Sequence, residues 1–295
     1  MQSHMEYKHA YLIIAHNEFE VLERLVNALD DKPNDIYIHI DAKVKKLPKL
    51  HVKESKLYII DKRIDVRWGN ISQIESEYIL WETAYEHGPY EYYHLISGTH
   101  FPLASQNAIR DFFESIGHKN LLSPMATDNK EIAFKILRYN ICTYTLNSKN
   151  QFIKNCSQII WRIGHWVQKR LPQHNRTKQT FYKASNWVSL THETIEFFLS
   201  IKDNVLRKYK YSWCGDEFFV PSELNCSQLK DTIYYTNHLL KNDFISYSPR
   251  VYIDSDYIDL INSNCLFARK FTKDSITLID KLEKNICLKA LNDTK

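Results

Sequence analysis

An early alternation between short apolar runs and helically spaced apolar residues limits this chain to few architectures. Tyr11-Leu12-Ile13-Ile14-Ala15 is a continuous apolar run stopped by His16-Asn17, the pattern of a strand buried on both faces. Val21, Leu22, Leu25, Val26 and Leu29 recur at helical spacing, residues 31–35 read as a turn, and Ile36 to Ile40 reads as a second strand ending at Asp41. Leu57 to Ile60 reads as a third strand and Ile71 to Glu86 as a helix, leading to Tyr92-Tyr93-His94-Leu95-Ile96. Such alternation predicts an α/β fold with a doubly wound, mostly parallel sheet flanked by helices over roughly the first 115 residues. In sheets of this kind ligands bind outside the carboxyl ends of the strands. The Ser97-Gly98-Thr99 turn lies at such an edge, where Gly98 allows a positive φ or a close backbone approach and Pro102 cannot continue a central strand.

The remaining 180 or so residues are less regular. Residues 104 to 145 look helical and loop-like, with Ile109, Phe112 and Phe113 on one apolar face. Residues 151–172 interleave Ile159, Ile160, Trp161, Ile163 and Trp166 with Lys154, Arg162, Lys169 and Arg170, which suggests an interfacial amphipathic helix. A helix packed on the body with a basic outer face is the alternative. Trp187 to Thr191 reads as a strand leading into a helix through Leu199, Tyr234 lies near a further strand, and Ser248-Pro249-Arg250 reads as a turn. Helices are expected over 255–263 and 275–288. No repeat or low-complexity linker interrupts the chain, so residues 10–288 read as one unit, with a nucleotide-binding half (10–115) and an acceptor or catalytic half (116–288).

Composition narrows the function classes. A net charge of +4 without a concentrated basic stripe argues against a nucleic-acid partner. Six cysteines without a C-x-x-C pair argue against a zinc module and suit reduced, cytosolic thiols. The first nine residues lack the apolar core of a signal peptide, and no stretch is long and apolar enough to span a membrane. The expected location is cytoplasmic, with a peripheral place at the inner face of the membrane through 151–172 as the alternative. Neither G-x-G-x-x-G nor a P-loop follows Ile14, so phosphate chemistry must be held by side chains.

Few residues are candidates for that chemistry. Asp216-Glu217 follows Gly215 and precedes Phe218-Phe219, which should anchor the segment while the acids face a cleft. A carboxylate so placed can act as a general base, a role worth about 10²–10⁴ in rate. An N-cap at Asp216 is the competing explanation. Arg269-Lys270 sits between apolar residues, and charges in such a setting are expensive unless they meet an anion. On a departing diphosphate each would contribute about 1.5–3 kcal/mol; a salt bridge to an acid such as Asp216 is the alternative. Asp41 closes the second strand, where a carboxylate can accept bonds from a base or ribose. His39 and Asp41 share a strand face but have no third metal ligand nearby. Asp254-Ser255-Asp256 resembles a metal-binding Asp-x-Asp, yet it directly precedes a helical stretch and is better explained as a cap.

Taken in order, several of these pieces carry a family resemblance. Ile14-Ala15-His16, His39-Ile40-Asp41, Trp68-Gly69 with Ser72, Tyr92 to Leu103, Asn186-Trp187 with Leu190-Thr191, Asp216-Glu217-Phe218-Phe219, Ser248-Pro249 and Leu266 to Phe271 together resemble the core-2/I-branching β-1,6-N-acetylglucosaminyltransferases and peptide O-xylosyltransferases in a compact bacterial form. The resemblance implies a GT-A-like fold, an inverting mechanism and a UDP-sugar donor bound without a metal or other cofactor. It implies that Ala15, Asp41, Arg67 and Trp68 lie around the uridine, and Ser248, Arg269 and Lys270 around the diphosphate. It further implies Glu217 as the base, Trp187 and Asp216 along the sugar, and Lys135 and Arg138 as a basic pair near the acceptor. The implied acceptor is a glycan or a lipid-linked oligosaccharide. The membrane stem and disulfide pattern of the Golgi members are not expected. A non-catalytic carbohydrate- or membrane-surface-binding protein retaining the fold is the alternative function.

Overall fold

The computed structural model describes residues 8–170, 179–245 and 248–293. In chain order the elements begin with β1 (His9–Ala15), α1 (Phe19–Leu29), β2 (Asn34–Ile40), β3 (Lys56–Ile59), α2 (Ser72–His87), β4 (Tyr92–Ser97) and β5 (His100–Pro102). They continue with α3 (Gln106–Ser115), β6 (Asn120–Pro124), α4 (Asn129–Ile132), a π-helical turn over Ala133–Leu137, α5 (Gln151–Gln168), β7 (Ala184–Thr191), α6 (His192–Ser200), α7 (Lys202–Tyr209) and α8 (Phe219–Asn225). The chain closes with β8 (Ile233–Tyr235), β9 (Leu240–Lys241), β10 (Phe244–Ile245), β11 (Ser248–Pro249), α9 (Tyr257–Ile261), β12 (Phe267–Arg269) and α10 (Ile276–Asp293).

Seven strands form the central sheet in the order β3-β2-β1-β4-β7-β6-β8. Pairs β3–β2, β2–β1, β1–β4 and β6–β8 are parallel, and β7 runs antiparallel to both its neighbours. The expected mostly parallel sheet flanked by helices is therefore present, and strands from both sides of residue 115 belong to it. The three strands read as apolar runs are its centre: every residue of β2 and β4 is buried, as is nearly all of β1. Helix α1 turns Leu22, Leu25, Val26 and Leu29 into this core and Val21 into a second, smaller one with Phe101, Tyr252, Phe271 and Leu278.

That second core belongs to a three-stranded sheet in which β12 runs antiparallel to β5 and parallel to β9. Its register sets Arg269 opposite His100, and Phe271 N donates to Thr99 O at 3.0 Å. Residues far apart in sequence thereby meet at the end of β4. Gly98 N donates to Ile14 O, and a Cβ on Gly98 would lie 2.9 Å from the Ala15 Cβ, so close approach is what requires glycine there.

Three local expectations are corrected. Residues 120–124, grouped with helix and loop, form β6, whose buried apolar content is Leu121 and Leu122, too short a run to signal a strand. Ser248-Pro249 is a strand paired with Phe244–Ile245; the antiparallel register absorbs the proline at a two-residue edge. At 253–256 the cap works in reverse: Asp256 reaches back to accept from Ile253 N at 2.8 Å and forms a bidentate pair with Arg250, and the α-helix starts only at Tyr257. By contrast Thr191 opens α6 as an N-cap, accepting from Thr194 N.

Candidate functional site

A cavity of about 380 Å³ opens at the carboxyl ends of β1, β2 and β4. Seven of the residues singled out by sequence line it: Ala15, Asp41, Arg67, Trp68, Trp187, Arg269 and Lys270. Ala15 ends β1, Asp41 follows β2, and Ser97-Gly98-Thr99 at the end of β4 forms part of the wall. Trp187 arrives from the opposite direction on β7, and Arg269 from the end of β12.

The cations around this cavity fall into two groups. Lys43 Nζ lies 2.6 Å from Asp41 and within bonding distance of Asp65, and Arg67 lies 2.6 Å from Asp65. Asp41 is buried and also accepts from the Lys43 and Val66 amides. Although burial opposes it, hydrogen bonds from Lys43, Tyr144 and Arg67 bring Asp65 down to about 2. These charges neutralise one another and fix the 65–67 segment on the rim, where Trp68 stands exposed and meets Trp213 edge-on at 5.1 Å. Arg269 and Lys270 differ: among the described residues no carboxylate pairs with either, which removes the salt-bridge alternative with Asp216. The Arg269 guanidinium lies 5.2 Å from the Trp187 ring centre, its Nε is buried without a partner, and burial lowers it to about 10. Beneath it His100, kept neutral by burial and then by Arg269, accepts from Ser97 N at 3.0 Å. Two partly desolvated cations without counter-ions among the described residues are a setting suited to an anion.

Next to the cavity lies a second cluster around Glu217. Glu217 Oε2 is 2.9 Å from Lys135 Nζ and 3.6 Å from Lys183 Nζ, and both lysines also reach Glu131. Burial raises Glu131, but bonds from Lys183 and Lys135 outweigh it and hold the carboxyl at about 2. Phe218 and Phe219 are fully buried, Phe219 against Trp81 of α2 at 5.8 Å, which anchors the segment as expected. Gly215–Glu217 is a single 3₁₀ turn and α8 begins at Phe219, so Asp216 is no helix cap. Instead Asp216 is buried, accepts from Gln73 Nε2 at 2.8 Å, and is raised to about 7 by burial and then by the Glu217 charge. Gln73 and Glu77, one helical turn apart on α2, both line the cavity and thus join the two clusters. Glu77 is pushed well above the carboxylate range by burial and then by Asp216, and neither of its oxygens has a partner.

Two expected residues neither line the cavity nor pair with Glu217. Arg138 terminates the π-helical turn, and Ser248 is exposed on the β10–β11 pair with a hydroxyl that reaches only Pro249 O at 3.4 Å. Arg250 is occupied by Asp256 and Asp243. Sequence reading did not find Lys43, Gln73, Glu77, Glu131 or Lys183. The local signals were the i, i+4 spacings of Gln73 with Glu77 and of Glu131 with Lys135, both shared by many exposed helix faces. A wider cavity, about 850 Å³, is lined by Tyr139, Phe181, Arg207, Lys208 and Glu223 and contains none of the candidate residues. Among the described residues no three His, Cys, Asp or Glu side chains converge as a metal site requires, and Asp254 pairs with Lys281.

Comparison with known proteins adds the following. A family described as Core-2/I-Branching enzyme matches residues 9–252. A xylosyltransferase of Ciona intestinalis is 21% identical over 293 residues, covering 88% of this chain and 32% of the relative. The mouse N-acetyllactosaminide β-1,6-N-acetylglucosaminyl-transferase is 23% identical over 320 residues, covering 100% of this chain and 76% of the relative. Rat xylosyltransferase 1 is 20% identical over 244 residues, covering 79% and 28%. The chain thus spans about a third or less of the xylosyltransferases it matches. Among solved structures, mouse xyloside xylosyltransferase 1 in its apo form covers 88% of this chain and 96% of its own at 10% identity and a TM-score of 0.40, a likeness too slight to bear on function.

Proposed function

Because the chain belongs to the Core-2/I-branching enzyme family, we propose that it is an inverting glycosyltransferase that moves N-acetylglucosamine or xylose from a UDP-sugar to a hydroxyl of a glycan or lipid-linked oligosaccharide, without a metal ion. The observation that carries this reading is that Arg269 and Lys270 line the strand-end cavity with no carboxylate partner among the described residues. In the proposed reaction Glu217 takes the proton of the acceptor hydroxyl as its oxygen bonds to the anomeric carbon. The bond from that carbon to the diphosphate oxygen breaks on the opposite face, and its electron pair leaves with UDP. Arg269 and Lys270 stabilise the charge that develops there, the part a divalent cation would otherwise play. Lys135 and Lys183 position Glu217. Trp68 and the Asp41–Arg67 rim receive the uridine, with Ala15 leaving room beside β1, and Trp187 with Asp216 borders the sugar. Residues 10–288 act as one unit in this scheme. Arg138 and Ser248 do not line the cavity, and the scheme assigns them no step.

The test is UDP release from a panel of UDP-sugars with oligosaccharide acceptors. Turnover should persist in EDTA, and Glu217→Gln should keep UDP affinity by calorimetry while losing about 10²–10⁴ of kcat. Strict dependence on Mn²⁺ would overturn the metal-free scheme, and UDP binding without turnover on any acceptor would favour a binding protein.

A further inference from the structure

Helix α5 turns one face to the body through hydrogen bonds and leaves an apolar face unused by the fold. Ser157, Trp161 and His165, spaced four apart, face the body: Ser157 Oγ bonds Thr145 Oγ1, and Asn140 Oδ1 accepts from Trp161 Nε1 and bonds His165 Nε2. Asn150 caps the helix start. On the opposite side Phe152, Ile159, Ile163 and Trp166 fall on one stripe, widened by Ile160 and Val167. Phe152 is 76% exposed and Ile163 and Trp166 are each 57% exposed. The middle of the outer face is apolar, with basic residues at its border and its end. Arg162 and Lys169 border the stripe, and the Arg170 guanidinium lies 3.6 Å from the Trp166 ring centre at its end.

Charge selects the occupant. Between Glu131 and Glu193 the sequence has ten Lys and Arg and neither Asp nor Glu. A second copy would bring this positive segment against itself. An anionic bilayer supplies both an acyl interior for the stripe and phosphates for its border. No helix among the described residues is long and apolar enough to cross a membrane, so contact would be in the plane of the surface. We propose that α5 is a membrane-docking helix that lies on anionic lipid with Phe152, Ile159, Ile163 and Trp166 inserted. The inner face of α5 reaches the cavity rim through Trp161, Trp213 and Trp68, with ring centres 6.0 and 5.1 Å apart. Docking would hold that rim close to the lipid surface.

The proposal is tested by flotation of the full chain with phosphatidylcholine vesicles, with and without about one third phosphatidylglycerol. Binding is expected to the anionic vesicles and to weaken about tenfold or more on neutral vesicles or at high salt. Ile163→Glu with Trp166→Glu should weaken it by at least about tenfold, while leaving UDP affinity and the melting midpoint unchanged. If the glutamates disturb folding, Ile159→Ser with Ile163→Ser makes the same test. Arg162→Gln with Lys169→Gln should reduce binding to anionic vesicles alone. Absence of flotation, equal binding by the Ile163/Trp166 variant, or a concentration-dependent dimer in sedimentation velocity that this variant abolishes would each overturn the proposal, the last in favour of a second copy.

Discussion

At the scale of residues, the site separates charges that hold the protein together from charges left for a ligand. Arg67 and Lys43 are consumed by Asp41 and Asp65, whereas Arg269 and Lys270 are not. Arg269→Ala should therefore weaken UDP binding by roughly 10- to 150-fold, the loss of one charge-assisted bond of about 1.5–3 kcal/mol. Arg67→Ala, whose partner is Asp65, should cost less, and equal losses in calorimetry would show that the distinction is wrong. Asp216 makes a separate prediction. Its carboxyl moves from 3.8 to about 7 on folding, so between those values the folded chain holds a proton that the unfolded chain has lost. Stability from this group is complete at low pH and is lost as pH rises towards 7 and beyond. Asp216→Asn, which keeps an acceptor for Gln73, should be more stable to unfolding than wild type at pH 8 by an amount of the order of a few kcal/mol, and the two should converge near pH 4. A gap independent of pH would rule out titration of Asp216 as its source.

At the scale of elements, the close approach of β1 and β4 at their carboxyl ends shapes the cavity. Replacing Gly98 with Val would force a branched side chain against Ala15, which should destabilise the fold by about 1–3 kcal/mol and weaken UDP binding together. A folded variant with unchanged UDP affinity would remove this contact from the cavity's design. The same elements explain what was legible in the sequence. Strands β1, β2 and β4 were, because burial on both faces forces uninterrupted apolar runs, and so was Arg269-Lys270, because charges bounded by apolar residues stand out. Helix α2 hid its part in the site: it is buried on several sides, including Ser76 and Glu77, so its polar residues resemble an ordinary exposed face until its neighbours are known. Glu131 stands four residues before Lys135, a spacing too common to single it out, and Lys183 was out of reach because only folding brings it to Glu131 and Glu217. The strand β6 was lost because two leucines carry no period.

At the scale of the whole molecule, the core stores histidines without their protons. His94 bonds His9 at 2.9 Å and Ser189 at 2.8 Å across the sheet, and burial lowers His9 to about 3, His39 to about 4, and His94 and His100 well below 6.5. Below pH 6.5 the unfolded chain gains protons that these imidazoles refuse, so their share of stability is lost as pH falls. By pH 5 the loss is roughly 2 kcal/mol for each strongly shifted imidazole. Asp216 and Glu77 act in the opposite sense throughout this range, but four imidazoles outweigh two carboxyls. The melting midpoint should therefore drop between pH 6.5 and 5, and a flat or rising midpoint would contradict this balance. One further consequence lies in the direction of β7. Since it runs against its neighbours, its beginning, and not its end, meets the cavity. A change in residues 179–183, which lead into Ala184, therefore reaches the Trp187 side of the cavity first and leaves the β1–β4 end, with its Ala15–Gly98 contact, as it is.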